Sequence, residues 1–203
     1  MQMLKSLLTK SILALSLIGC VFWITGCEED PVTNDTDGIV VDDDYYEFQD
    51  FILSDYDIPA VISLPDETAN IGASTRPEVL HAESFKWEIN VGTNFKLLIE
   101  DFGSIEGLVK EEKARLEDQK KFFKIRYLMD EKDMILYERT LIVAGTDDAS
   151  SSVGIEHKTY HVYGQKKIDN VIYGLQSPQD GCEKVIIEFM AKSIKSFKER
   201  GKA

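Results

Sequence analysis

FKIRYLMDEKDMILYERTLIVA, residues 123–144, is the stretch that decides the fold. Phe123, Ile125, Tyr127 and Met129 alternate with Lys124, Arg126 and Leu128, the period of two that sends successive side chains to opposite faces of a strand. Asp130-Glu131-Lys132-Asp133 makes a polar turn, and Met134 to Ala144 returns as a second strand. So short a link forces antiparallel pairing, because parallel strands need a crossover of about a dozen residues or more.

Working upstream, Gly107 to Lys121 is rich in Glu, Lys, Gln and Leu, and its apolar stripe is confined to Leu108, Val109 and Leu116. This reads as a surface helix that covers the core. Before it, Ala60–Leu64 is a short strand closed by Pro65-Asp66. Phe85–Ile89 and Phe95–Ile99 form a hairpin or bent strand around Gly92-Thr93-Asn94. Downstream, Gly145–Gly154 is a loop by composition, and Thr159–Tyr163 and Val171–Leu175 form another hairpin around Lys167–Asn170. Glu183 to Lys198 is the strongest helix. Ile186, Phe189, Met190, Ile194 and Phe197 fall at helical spacing, and Lys192, Lys195 and Lys198 gather at the dipole-favoured end. The expectation is an α+β domain over 58–203: an antiparallel sheet of about six or seven strands, with the C-terminal helix and one surface helix packed on it. No proline interrupts it between Pro77 and Pro178. This element order is similar to the Mog1/PsbP-like fold over about 58–198. Members of that group mostly bind or scaffold partners, so the resemblance implies a non-catalytic domain.

Charge is segregated. The 203 residues carry a net charge of −13, yet residues 28–75 alone hold fourteen Asp or Glu and no Lys or Arg, while 76–203 sum to −1. Nucleic acid is therefore not an expected partner, since neutralising phosphates takes a basic stripe. Residues 27–57 read as an acidic, disordered tether that cannot bury enough surface to order itself. Within it, Thr33, Asp35, Asp37, Gly38 and Asp44 only loosely imitate a calcium loop. The first ligand position is Thr and the last is Asp where Glu is needed.

The chain opens with Lys5 and Lys10 and then an uncharged, Leu- and Ile-rich run from Ser11 to Gly26, the layout of a signal peptide over 1–26. The run is shorter than the roughly 20 residues that span a bilayer, and it ends Ile24-Thr25-Gly26-Cys27. Residues 1–27 resemble a bacterial lipoprotein precursor. The resemblance implies cleavage between Gly26 and Cys27, diacylglycerol on the Cys27 thiol and acylation, such as palmitate, on the new amino terminus. Leu17-Ile18-Gly19-Cys20 is a second match, but cleavage there leaves Val21-Phe22-Trp23-Ile24 exposed at the start of the tether. The run Glu28-Glu29-Asp30 resembles that of surface-exposed lipoproteins in some Gram-negative bacteria, which points to the outer membrane and its display face.

Chemistry-bearing residues are sparse. Cys182, between Gly181 and Glu183, is the one thiol beyond the leader and the anchor. A helix start lowers a thiol pKa, though Glu183 opposes this. His157 and His161 are four apart on a strand-like stretch, about 13 Å, too far to share a metal. His81 is expected to be solvated, and Glu100-Asp101 point to opposite faces. Phosphate-loop, dinucleotide, nucleophile-elbow and zinc motifs are absent from the sequence. The strand tyrosines Tyr127, Tyr137, Tyr160, Tyr163 and Tyr173, with Trp87, read as core aromatics ahead of a ligand face. The expectation is thus a lipid-anchored envelope protein with a binding or scaffold domain, no catalytic or metal residues and no cofactor. Two rivals are a hydrolase using Cys182 with His157 or His161, and a ligand-binding lipoprotein serving a transporter.

Overall fold

The hairpin of Phe123–Asp130 and Met134–Leu141 stands at one edge of a seven-stranded antiparallel sheet. The computed structural model describes residues 39, 41–42, 44–72, 76–142 and 157–201. In chain order its elements are β1 (Phe48–Ile52), β2 (Ala60–Pro65), β3 (Glu78–Glu83), β4 (Lys86–Val91), β5 (Phe95–Asp101) and α1 (Leu108–Gln119). They continue with β6 (Phe123–Asp130), β7 (Met134–Leu141), β8 (Lys158–Ile168), β9 (Val171–Gln176), α2 (Lys184–Ser196) and β10 (Lys198–Glu199). The large sheet has the order β3-β4-β5-β9-β8-β7-β6, and β1-β2-β10 form a second, three-stranded sheet. The α+β class, the antiparallel pairing and the terminal helix are as the sequence predicts. The signal peptide, Gly26, Cys27, Cys20, the start of the tether and the 145–154 loop lie outside the described residues.

Between β5 and β6 the chain does not turn back but crosses the sheet. Because β9, β8 and β7 intervene, α1 has to carry the chain from β5 to the far edge. Side-chain alternation then gives the large sheet two distinct faces. On one, Ile135, Tyr137, Tyr163 and Ile172 pack against Leu108, Val109 and Leu116 of α1. On the other, Leu136, Val162, Tyr173 and Leu175 meet Ile187, Met190 and Ile194 of α2, together with Ala60, Ile62 and Leu64 of β2. Burying each such aliphatic side chain contributes roughly 1.5–3 kcal/mol, so the α2 face is the principal core.

Three strands lie beyond the sequence expectation. β3 is an edge strand whose Glu78, His81 and Glu83 are exposed, and edge strands carry charge without penalty. β10 is two residues long, pairing Lys198 with Val61 and Glu199 with Ala60. β1 lies inside the stretch expected to be tether and pairs along β2 from Phe48 opposite Pro65 to Ile52 opposite Val61. The folded domain therefore begins well before residue 58, and Ile39 and Val41 already belong to its core.

The reason lies in the lysines of α2. Lys192 Nζ is 2.6 Å from the Asp42 carboxylate and donates to the Asp44 carbonyl at 2.9 Å. The Tyr45 hydroxyl donates to the Lys192 carbonyl at 3.2 Å, and Phe48 packs on Phe189 with ring centroids 5.5 Å apart. The acidity expected to extend this segment by self-repulsion instead finds a basic helix to lie on.

Candidate functional site

Every second residue of β7 and β8 faces α1, and where the apolar stripe of the helix runs out the contact becomes polar. Leu116 is the last wholly buried apolar residue of α1; Arg115, just before it, and Gln119, one turn after Arg115, share one side toward the helix end. Across from them the register pairs Tyr137 with His161 and Arg139 with Thr159. Arg115, Gln119, Tyr137, Arg139 and His161, with Tyr163 and the Gln176–Gln179 segment at the end of β9, line a partly open cavity of about 140 Å³.

The polar groups around this cavity are held in fixed positions. Glu112, only 6% exposed, takes both arms of Arg115 at 2.8 and 2.6 Å and accepts the Tyr137 hydroxyl at 3.2 Å. Charge-assisted paired bonds of this kind fix orientation as well as charge. Arg139 donates through Nη2 to the Gln179 carbonyl at 2.7 Å and through Nη1 to Gln119 Oε1 at 3.5 Å, with its guanidinium 4.8 Å from the Phe123 ring centre. Its Nε is buried, and among the described residues no acceptor reaches it. His161 Nε2 lies 2.9 Å from Thr159 Oγ1.

Electrostatics follow from this burial. Desolvation, with Arg139 and Arg115 adding to it, pushes His161 down to about 3, so the imidazole is neutral at physiological pH. Burial and the nearby Glu112 carboxylate push Tyr163 up to about 12 and Tyr137 higher still. The lining therefore carries Arg139 as its uncompensated positive charge, beside the Arg115–Glu112 ion pair and neutral aromatics. Its Arg and Gln donors suit an acceptor-rich guest.

Cys182 stands two residues ahead of α2, whose N-cap is Glu183. Its backbone exchanges hydrogen bonds with Tyr160, at 3.0 and 3.2 Å, as an isolated bridge. Burial first, and Asp180 second, push the thiol up to about 11, the reverse of the activation a helix start gives. His157 and Cys182 both border an open depression of about 650 Å³, but among the described residues no hydrogen bond joins the Cys182 sulfur to a histidine. His161 faces the α1 side, stacked on Tyr137.

The remaining sequence candidates separate. His81 is on β3, exposed and stacked on Trp87 at 5.2 Å. Glu100 pairs with Lys86 at 3.6 Å, whereas Asp101 accepts the Gly103 amide at 2.7 Å. Among the described residues no three His, Cys, Asp or Glu gather as a metal site. The strand tyrosines divide: Tyr173 packs with Phe197 on the α2 face, while Tyr137 and Tyr163 line the cavity. The two arginines and the Gln176–Gln179 segment had no signal in the sequence, since the residues that meet here are scattered from 115 to 179.

Two solved structures resemble this arrangement of elements. One is the Saccharomyces cerevisiae Ran-binding protein Mog1p, at 8% identity and a TM-score of 0.40, covering 74% of this chain and 94% of that one. The other is a point mutant of Mog1 with the same figures. The likeness concerns element arrangement alone. No family model and no curated protein matches the chain.

Proposed function

We propose that this chain is a lipid-anchored protein of the bacterial cell envelope, cleaved after Gly26 and held in the membrane through lipid on Cys27. Its domain binds a partner or small ligand without transforming it. Anchoring is supported by the charged start, the short apolar run and Ile24-Thr25-Gly26-Cys27. Two or three acyl chains at roughly 0.8 kcal/mol per buried methylene hold a protein durably at a bilayer. The acidic run at residues 28–30 supports the outer membrane as its location.

The observation that carries the binding reading is the cavity between α1 and the sheet, lined by the held guanidinium of Arg139 beside a neutral imidazole. Groups with such displaced pKa values hold a guest well but transfer protons poorly near neutrality, because an efficient acid or base titrates near the working pH. The same cavity favours the ligand-binding lipoprotein over a pure scaffold. A Cys182 hydrolase is disfavoured by its raised thiol.

Two measurements test this reading. Cells expressing Cys27→Ala should retain the longer precursor and lose labelling by a fatty-acid probe, whereas Cys20→Ala should leave both processing and labelling intact. Unchanged processing and membrane partitioning in Cys27→Ala would overturn the anchor. Ester or amide hydrolysis that is lost in Cys182→Ala would overturn the binding reading.

A further inference from the structure

We propose that the cavity bordered by Arg115, Tyr137, Arg139 and His161 is a binding site for a small hydroxylated carboxylate, anchored by the Arg139 guanidinium. The inference deepens the non-catalytic binding reading and rests on it.

Four observations on this cavity converge. First, Arg139 is preset: the Gln179 carbonyl holds Nη2 at 2.7 Å, Gln119 is a long contact at 3.5 Å, and the buried Nε has no protein acceptor among the described residues. A guanidinium positioned this way, with donors to spare, matches the paired oxygens of a carboxylate. Second, among the described residues the lining includes two arginines and no Asp or Glu, and since Glu112 neutralises Arg115 from behind, Arg139 is the uncompensated charge that faces a guest. Third, the size is restrictive. A cavity of about 140 Å³ is close to the engineered one of about 150 Å³ that accepts benzene, so a guest of roughly six non-hydrogen atoms fits. Fourth, Gln119, Gln176 and Gln179 border the same space and offer partners to a hydroxyl group on the guest. A three-carbon hydroxy acid satisfies all four requirements.

Lactate is the probe, with acetate and inorganic phosphate as comparisons. The full chain carrying Cys27→Ala, labelled with nitrogen-15 and held in detergent, is titrated while the Arg139 Nε–H and the glutamine side-chain amides are followed. Lactate should shift these signals saturably, with half-saturation at about 1 mM or below. Acetate, lacking the hydroxyl, should bind more weakly, and phosphate, whose oxygens the same fork accepts but whose shape does not match the glutamine partners, should shift them less than lactate does. Gln119→Glu places a tethered carboxylate beside Arg139, so it should weaken lactate about tenfold or more without lowering the unfolding midpoint. Arg139→Lys keeps the charge but loses the fork and should weaken binding comparably.

Shifts that stay linear to about 50 mM, survive in Gln119→Glu, or follow phosphate in place of lactate would overturn the proposal. Its failure is separable from failure of the wider reading. Lactate that does not bind removes this site and leaves the anchor and the non-catalytic domain standing. Lactate that binds and whose methyl signal is then converted to another species removes the non-catalytic reading and leaves the site.

Discussion

The imidazole of His161 lies flat on the ring of Tyr137, with centroids 5.1 Å apart and planes 12° from parallel, so one face of this buried histidine is closed by an aromatic. A proton added there has to be desolvated beside Arg139 and Arg115. The unfolded chain takes that proton near 6.5 and the folded one only near 3. Stability is therefore complete above about pH 6.5 and is lost as pH falls through the window down to about 3. The His161 contribution at pH 5 is a loss of about 2 kcal/mol. Urea midpoints at pH 7.5 and 5 should diverge in the native protein and converge substantially in His161→Phe. Equal divergence in both would mean that other groups set the acid sensitivity.

Cys182 offers a second pH-dependent readout. With its thiol pushed up to about 11 by burial and Asp180, only on the order of one molecule in ten thousand is thiolate at pH 7. Iodoacetamide should modify the folded protein far more slowly than it does the same protein in urea, with a rate still climbing above pH 10. Fast labelling levelling off below about pH 8 would contradict the assigned environment.

The packing of α2 on the sheet depends on a missing side chain. A Cβ at Gly164 would sit 2.7 Å from Ile194 Cγ2, inside van der Waals contact, although the backbone there is not in the left-handed region. Gly164→Ala should cost about 1–3 kcal/mol through overpacking. On an Ile194→Ala background, itself costly by about 2–5 kcal/mol, the same change should cost little, because the obstructing methyl is gone. Additive losses in denaturant melts would show that the clash is not with Ile194.

The acidic entry segment makes a prediction of another kind. Lys192 holds Asp42 and the Asp44 carbonyl and lies 5.8 Å from the centre of the Phe48 ring. Lys192→Gln should expose residues 42–47 to an aspartate-directed protease with the rest of the domain intact. Salt at about 0.5 M should do the same more weakly, by screening an exposed pair. Cleavage unaffected by either would mean that the apolar contacts of Ile39, Val41 and Phe48, with the Tyr45 hydroxyl, hold the segment down.

The same segment explains where sequence reading stops. Strands with a strong period of two, such as β6 and β7, and helices with a wide apolar stripe, such as α2, are legible because each shows its buried face in its own residues. β1 is not, since Asp50 and Gln49 on an edge strand look like solvated chain, and the lysines that neutralise its approach lie about 150 positions away. The bulge between Tyr127 and Met129, which sets Met129 opposite Leu136 on the α2 face, likewise has no local signature. The cavity is least legible of all. Arg115, Arg139 and Gln179 are ordinary surface residue types in sequence, and only the passage of α1 across the sheet gathers them. Conversely, the aromatic pattern on the strands admits both a core and a ligand face, and the fold uses it for both.

The chain joins the domain along α2, through Asp42, Tyr45 and Phe48, whereas the cavity lies beneath α1 on the reverse of the large sheet. A label carried on the exposed Tyr46 of this segment is therefore on the opposite side of the sheet from the cavity, which makes that position the attachment of choice for following a guest without touching its site.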